Sequence, residues 1–444
     1  MKHLFNIFLL VTVIFLSACG SKEETSTSSS VAQLKALTFK ADTRYPGLSK
    51  AVFTIEERLD TGLVYNKDSM LFGTALDSVV PSFKFVTTPG SAMIHLSNPD
   101  TSFYLSGNDV IDFTRLPIYL TITSSDGSTT KVYEIRATVH QVDPDLFVWQ
   151  QVCEHVYPEN DSEQQVLWLN DQFTLFANNG FANHVYTSSD AVTWQDKGEP
   201  TGLPTNCRLR TIVAADRFYY AADSVLYTSA DGLSWAAYPQ TSLYPHTMLM
   251  AFNDKVWAVA QEGDDMQLAS VGADGISLES AEVTLPKDFP ISGFASVVFE
   301  NKSYRPRAMV LGGFAIDGTP LNSRWSIEYS AAKDEYRLQD LTIEQPEFTS
   351  LTGASIVWYN HQLFMFGGAT KDMKLHALPI LISEDEGMNW VAPDTLKNSL
   401  PSVYGLRQKQ SAIVKDNYIY LFGGQNASIT RTDVYRGKLN SIDW

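Results

Sequence analysis

The sequence predicts an all-β protein in which a β-propeller follows a smaller β-sandwich. No long helical period runs through the 444 residues, and Gly, Tyr, Phe, Thr and Ser are frequent. One ten-residue pattern occurs at 185–194, 226–235 and 381–390 as an apolar strand, a polar turn with an Asp, and a Trp that opens the next strand. The first two of these Asp residues are 41 positions apart, within the roughly 40 to 50 residues that a four-stranded propeller blade needs.

The N-terminus predicts a secretion signal over residues 1–18. A short basic start precedes an apolar run, 4–16, that is too short for a membrane span. The sequence Leu16-Ser17-Ala18-Cys19-Gly20 resembles the bacterial lipobox, which implies cleavage before Cys19 and a diacylglycerol on its thiol. The membrane is then a predicted partner, because each buried methylene of the lipid contributes about 0.8 kcal/mol. The alternative is a plain cleaved signal with an incidental Cys.

Residues 19–32 are predicted to form the lipidated Cys and a flexible tether, since they are rich in Ser, Thr and Glu and nearly free of apolar side chains. Glu23 and Glu24 follow the Cys closely and resemble the surface-export signals of Bacteroidetes-type lipoproteins. That resemblance implies an outer-membrane, surface-exposed location. The alternative is that acidic residues simply suit a solvated tether.

The charge balance argues against a nucleic-acid partner. There are 33 Lys and Arg against 50 Asp and Glu, a net charge of −17, and non-specific nucleic-acid binding needs a basic face. Besides Cys19, Cys153 and Cys207 are the cysteines of the chain, so we predict two free thiols and no disulfide framework.

Residues 33–145 alternate apolar and polar side chains as strands do. Ile118, Leu120 and Ile122 share one face, and Asp126-Gly127 supplies a tight hairpin turn before the next alternating run. Several such strands in about 110 residues predict an immunoglobulin-like sandwich without the antibody Cys and Trp pattern. The unit resembles the small modules near the N-terminus of many Bacteroidetes-type lipoproteins, which implies a spacer role.

Residues 146–444 carry the repeat. Short hairpins with Asn or Asp turns recur one strand pair before each Asp pattern, and counting them gives six blades, with seven as the alternative. The predicted blades span about 155–198, 203–240, 244–285, 290–342, 348–395 and 404–444. Residues 146–153 have no blade of their own, so we predict that they pair with the C-terminal blade and close the ring.

Two repeat families resemble this region. The strands that end in Leu311-Gly312-Gly313, Phe366-Gly367-Gly368 and Phe422-Gly423-Gly424 are similar to Kelch repeats. The Asp patterns, hereafter the Asp–Trp turns, resemble the Asp-box of sialidase-like propellers. That resemblance implies a structural role at the periphery, in which the Asp accepts amide hydrogens and the Trp packs between sheets. The residues concerned are Asp190, Trp194, Asp231, Trp235, Asp385 and Trp390.

The sequence predicts the fold of this region more directly than it predicts a catalytic or binding site. The arginine triad, acid/base Asp and Tyr/Glu pair that identify sialidases are not supplied by the repeats, and no spaced His or Cys pair predicts a metal site or cofactor. Propeller ligands usually lie at one mouth of the central channel, beside the loops that enter the innermost strands. The loop residues predicted to face a glycan or an anionic ligand there are Gln164, Arg208, Arg210, His246 and Arg407. The alternative is that each is an ordinary solvated loop residue.

The whole arrangement resembles Bacteroidetes-type surface lipoproteins that join an Ig-like module to a Kelch/Asp-box propeller. The first hypothesis is a non-catalytic binding module of the cell envelope that presents a propeller face to a glycan or protein partner. The alternatives are a glycan-active enzyme of sialidase-like or lyase type and a structural accessory of an envelope complex. An enzyme needs carboxylates, Arg or His that converge at the channel mouth.

Overall fold

The computed structural model describes residues 28–440, apart from 46, 60, 98, 159–162, 349–350 and 427–428. The chain divides after Asp143 into two compact units. The prediction of an all-β protein is confirmed: the helical pieces of the described residues are two 3-10 turns, Leu48–Lys50 and Leu209–Thr211. No helix in the described part of the chain has the length and apolarity to cross a membrane. The predicted signal peptide and Cys19 lie outside the described residues.

The N-terminal unit contains two antiparallel-rich sheets around one core. A six-stranded sheet has the order β2-β3-β8-β7-β5-β6, in which β3 and β8 are parallel, and a second sheet pairs β1 with β4. The strands are β1 (Leu34–Phe39), β2 (Phe53–Glu56), β3 (Thr61–Asn66), β4 (Pro81–Phe85), β5 (Ser91–Ser97), β6 (Asp100–Tyr104), β7 (Ile118–Thr123) and β8 (Thr130–Arg136).

The alternation seen in the sequence sets the core of this unit. Ile118, Leu120 and Ile122 of β7 are at most 1% exposed and pack into one apolar cluster with both sheets. The β7–β8 hairpin turns at Gly127, whose φ is +73°, and Asp126 Oδ1 accepts the amide hydrogen of Ser128 at 2.9 Å. The assignment to the immunoglobulin-like class stays a prediction.

The C-terminal unit is a propeller of six sheets among its described residues, as predicted. Blade 1 consists of β10 (Glu163–Leu169), β11 (Gln172–Asn178), β12 (Asn183–Ser188) and β13 (Gln195–Gly198). Blade 2 consists of β14 (Val213–Ala214), β15 (Phe218–Ala222), β16 (Val225–Ser229) and β17 (Ala236–Pro239). Blade 3 consists of β18 (Tyr244–Phe252), β19 (Lys255–Glu262), β20 (Asp265–Val271) and β21 (Leu278–Thr284).

Blades 4 to 6 follow the same plan. Blade 4 consists of β22 (Ala295–Glu300), β23 (Pro306–Leu311), β24 (Arg324–Ser330) and β25 (Glu335–Asp340). Blade 5 consists of β26 (Ser355–Tyr359), β27 (Gln362–Phe366) and β28 (Ile380–Ser383). Blade 6 consists of β29 (Ser411–Lys415), β30 (Tyr418–Asn426) and β31 (Ile429–Leu439), and β9 (Phe147–Cys153) pairs with the outer edge of β31. In blade 5, one bridge between Ile382 and Val391 stands in for a fourth strand.

The six sheets form a ring around a central channel. The innermost strands β10, β14, β18, β22, β26 and β29 each lie beside the innermost strands of the blades before and after, and β29 lies beside β10. Closure by the N-terminal strand is confirmed, because β9 pairs antiparallel with β31 from Phe147 opposite Leu439 to Cys153 opposite Val434. The last blade therefore contains both ends of this unit.

Strand direction decides which loops share a face. The turns between first and second strands include Asn170-Asp171 and Asn253-Asp254, in which both residues have positive φ, as two-residue hairpins require. Because strands alternate in direction, these turns and the Asp–Trp turns between third and fourth strands lie on one face of the ring. The loops that enter each innermost strand lie on the opposite face, together with the loops between second and third strands.

Candidate functional site

The Asp–Trp turns use their polar groups internally. Asp190 Oδ1 accepts the amide hydrogens of Val192 and Thr193 at 2.9 and 2.8 Å, and these bonds, led by the one from Thr193, hold the pKa of Asp190 below its ordinary value. The indole Nε1 of Trp194 donates to the carbonyl of Ala191 at 3.2 Å.

The other two turns repeat this arrangement. Asp231 Oδ1 accepts amide hydrogens from Leu233 and Ser234, and Asp385 Oδ1 accepts one from Asn389. The indoles of Trp235 and Trp390 donate to the carbonyls three residues before them, and both rings are buried. These contacts stabilise the turn and fill the space between sheets, which gives all six residues a structural task.

A cavity of about 200 Å³ lies at the end of the channel where the chain enters the innermost strands. It is built by loops of five blades: those before β14, β22, β26 and β29, and the start of β10. We call it the channel mouth. Its lining residues are Glu163, Arg208, Arg210, Thr211, Ser292, Gly293, Phe314, Thr352, Gly353, Met373, Gln408 and Lys409.

Arg210, which lines this cavity, reaches from blade 2 to the backbone of blades 5 and 6. Its guanidinium comes from blade 2 and donates through Nη1 to the carbonyl of Gln410 at 2.7 Å and through Nη2 to the carbonyl of Ala354 at 2.9 Å. Burial lowers the pKa of Arg210 to about 10, while the nearby carboxylate of Glu163 opposes that change. The side chain is therefore charged at neutral pH, and it ties blade 2 to blades 5 and 6.

Two further cations at the mouth are unpaired. Arg208 is exposed and Lys409 is half-buried, and neither side chain has an ion-pair or hydrogen-bond partner in the described part of the chain. The carboxylate that lines the cavity is Glu163, whose Oε2 accepts the amide hydrogen of Leu209 at 3.3 Å. Three cationic groups against one carboxylate make this mouth locally positive on a chain of net charge −17, and such a site concentrates anions.

Apolar groups form the other side of the cavity. Phe314, from the loop between the second and third strands of blade 4, is half-buried, and Met373, from the same loop of blade 5, is 53% exposed. The mouth therefore offers both cationic groups and an aromatic or thioether surface, a combination suited to a small polar ligand with an apolar edge.

The five residues predicted at the mouth lie in different surroundings. Arg208 and Arg210 line the cavity, whereas Gln164, His246 and Arg407 lie elsewhere. Gln164 is 2% exposed; its Oε1 accepts the Tyr157 hydroxyl hydrogen at 3.0 Å, and its Nε2 donates to the Arg431 carbonyl at 2.9 Å. It therefore joins blade 1 to blade 6.

Arg407 is likewise committed inside the protein. Its guanidinium is paired with the carboxylate of Asp433, stacks 3.9 Å from the ring centre of Tyr404, and donates to the carbonyl of Gly423 at 3.0 Å. His246 lies on β18 with its Nε2 3.2 Å from Oε1 of Gln261. The pairing of β18 with β19 is irregular between Pro245 and Thr247, so His246 leaves the regular alternation of the strand.

Sequence reasoning missed Glu163, Lys409, Phe314 and Met373. Blades 4, 5 and 6 are the ones whose second strands end in Gly-Gly, and an alignment of their sequences would have found Lys409. In blade 6 it occupies the position that Gly293 and Gly353 hold in blades 4 and 5. Phe314 and Met373 lie on loops that the search for strand entries did not cover.

The opposite face of the ring holds a larger and more open basin of about 620 Å³. It lies at the turns of blades 2 and 3, and its charged residues are Asp216, Arg217, Asp254, Lys255 and Asp274. Acidic and basic groups are mixed there, and Asp216 and Arg217 pair with each other at 3.0 Å. In the described residues, no group of three or more His, Cys, Asp or Glu side chains is placed to hold a metal ion.

Two family models match the chain. The one described as the DUF6242 β-propeller domain matches residues 143–444, and the one described as the DUF6242 N-terminal domain matches residues 24–137. No curated protein matches the chain. Among solved structures, "Structure of YjhT" is similar over 64% of this chain and 96% of that chain, with 13% identity and a TM-score of 0.47.

Proposed function

The chain belongs to the DUF6242 family through its β-propeller domain, and on that premise we propose that the propeller is a non-catalytic binding module for a glycan whose terminal ring carries a carboxylate. The observation that supports this most is the pair of unpaired cations, Arg208 and Lys409, beside the charged Arg210 at one cavity. A charge-assisted hydrogen bond to such a group contributes about 1.5–3 kcal/mol.

The size of the cavity favours an end group over a whole ligand. Sites that enclose a drug-sized molecule occupy about 300–1,000 Å³, and the channel mouth has about 200 Å³. One sugar ring at the end of a chain suits this volume, with its carboxylate toward Arg208 and Lys409 and its apolar edge toward Phe314. The remainder of the glycan extends away from the ring.

The non-catalytic part of the proposal rests on the carboxylates. Glycoside hydrolases of the common types use a pair of carboxyl groups that flank the bond to be cleaved. Among the described residues that line the mouth, Glu163 is the carboxylate, and it accepts a backbone amide hydrogen from Leu209. Binding without cleavage is the simpler task for this set of side chains.

The location is a second part of the proposal. The lipobox-like residues 16–20 support a diacylglycerol anchor on Cys19 and a place on the outer face of the outer membrane, with residues 19–32 as the tether. The N-terminal unit then serves as an immunoglobulin-like spacer, and the Kelch-like and Asp-box-like repeats build the ring. Mass spectrometry of the mature N-terminus tests the anchor, because an unacylated N-terminal residue other than Cys19 contradicts it.

A glycan array tests the binding function. The full chain in detergent is applied to neutral, sulfated and uronate-terminated glycans at low and high salt. We expect uronate-terminated glycans to bind, and we expect Arg208→Ala to weaken that binding about 10- to 100-fold, since 1.4 kcal/mol corresponds to a factor of ten.

Arg217→Ala is the control, because Arg217 is a half-buried arginine that pairs with Asp216 on the opposite face. An array without a uronate signal argues for a protein partner instead, and release of a shortened glycan argues for the enzyme alternative. Equal losses in Arg208→Ala and Arg217→Ala place the site away from the mouth.

A further inference from the structure

Blades 4 and 5 carry the same loop between their second and third strands. In blade 4 the amide of Ala315 donates to the Thr319 carbonyl at 3.0 Å, and the amide of Gly318 donates to Ala315 at 3.0 Å. In blade 5 the corresponding bonds run from Thr370 to Lys374 and from Met373 to Thr370, both 2.8 Å. Met373 therefore stands where blade 4 has Gly318, and both have positive φ, +57° and +82°.

The loops that enter the innermost strands of blades 4 to 6 repeat as well. Gly293, Gly353 and Lys409 have φ of +63°, +65° and +58°. They are linked across the mouth, since the amide of Gly353 donates to Gly293 at 2.8 Å and the amide of Lys409 donates to Gly353 at 2.6 Å. Lys409 therefore stands where two sister blades have glycine.

A side chain at either position is unfavourable for the backbone. The left-handed region places Cβ close to the following carbonyl oxygen, which is why glycine is the usual residue there. Met373 is 53% exposed, and the ammonium of the half-buried Lys409 has no ion-pair or hydrogen-bond partner in the described residues. A Cβ added at Gly353 would lie 3.2 Å from Lys409 Cγ, so the stem of Lys409 lies close to this glycine.

The two exceptions share one location, since Lys409 and Met373 both line the channel mouth. We infer that Lys409 and Met373 are ligand-contacting residues, retained at glycine positions because they complete the binding site. Lys409 supplies positive charge to the anionic end group, and Met373 covers its apolar edge. This assignment rests on the proposed function. It adds Met373 as a contact residue and gives the reason why Lys409 is retained at a cost to the backbone.

The test replaces each residue by the glycine of its sister blade. Lys409→Gly and Met373→Gly are compared in the full chain with Tyr304→Gly, which has φ +57°, is 81% exposed and lies in a turn on the opposite face. One readout is the urea midpoint without ligand, and the other is calorimetric binding of trigalacturonate and of a hyaluronan tetrasaccharide. We expect all three midpoints to stay level or rise.

Binding should separate the variants. We expect Lys409→Gly to weaken binding about tenfold and to reduce its salt dependence, Met373→Gly to weaken it about threefold, and Tyr304→Gly to leave it unchanged. Midpoints that fall in the two mouth variants but not in Tyr304→Gly would mean that these side chains stabilise the fold, and the inference would be wrong. Unchanged binding in both, with loss in Arg208→Ala, rejects the inference and keeps the proposed function. A wild-type chain that binds neither probe overturns both.

Discussion

Arg407 gives the sharpest prediction, because its surroundings make it a structural residue and not a ligand-binding one. The side chains of Arg407 and Asp433 are 1% and 12% exposed, and the guanidinium also donates to the carbonyls of Tyr404 and Gly423. Arg407→Leu leaves the Asp433 carboxylate and two carbonyls without a donor. Removing one partner of a buried ion pair costs about 3–5 kcal/mol.

The loss of stability in Arg407→Leu can be measured by thermal unfolding. At about 2 °C per kcal/mol for a unit of this size, Arg407→Leu lowers the melting temperature by roughly 6–10 °C. Urea unfolding followed by tryptophan fluorescence gives a second measure, since the chain has 9 Trp. Arg208→Leu is the control, because an unpaired exposed arginine changes stability by about 0.5 kcal/mol or less.

A double variant separates the ion pair from general damage. Arg407→Leu with Asp433→Leu removes the uncompensated carboxylate, so we expect it to be more stable than Arg407→Leu alone. The reasoning is refuted if Arg407→Leu unfolds at the wild-type midpoint, or if the double variant is less stable than the single one.

Three further predictions concern the ring and its turns. Gly437→Ala should lower the free energy of unfolding by about 1–3 kcal/mol, because the added Cβ would lie 2.5 Å from Cδ2 of Trp149 in the closing strand. A second substitution in the same chain, Trp149→Ala, should restore part of this free energy. Trp390→Ala should cost about 3–5 kcal/mol and the half-buried Trp194 less, so equal midpoint shifts in urea would contradict the packing described. The pKa of Asp190 in the folded protein lies below the unfolded value of about 3.9. The stabilisation from this carboxylate is therefore present above about pH 4 and is lost as the pH falls through the folded pKa. Thermal unfolding at each pH should show that Asp190→Asn is less stable than the wild type at pH 7 and loses less stability between pH 6 and pH 3.

Local chemistry was enough to predict the blades. The Asn and Asp turns, the Gly-Gly strand ends and the period-2 alternation each act over a few residues, and their spacing gave six sheets. Closure followed from counting, because residues 146–153 had no sheet of their own and the last blade lacked a strand. Each of these features can be read without knowing which residues meet across the ring.

The channel mouth could not be predicted in the same way. Whether a loop residue faces the channel or the blade interior depends on side-chain direction in the assembled ring. Arg407 turns toward Asp433, 26 residues later in the chain, and Gln164 turns toward Arg431, 267 residues later. His246 was misplaced for a local reason, since the irregular pairing at Pro245 interrupts the alternation on which the prediction relied.

Because β9 pairs with β31, the propeller ring can close only after β31 has been synthesised. Phe147 opposite Leu439 joins positions that are 439 − 147 = 292 residues apart, whereas each of the other five propeller sheets draws on one continuous stretch of chain. During synthesis or export, five blades can form in succession while β9 waits with an unpaired edge, and contacts of such long sequence separation form slowly. The pairing of β31 with β9 therefore decides whether the nascent propeller becomes a closed ring or keeps an open edge that can associate with other chains.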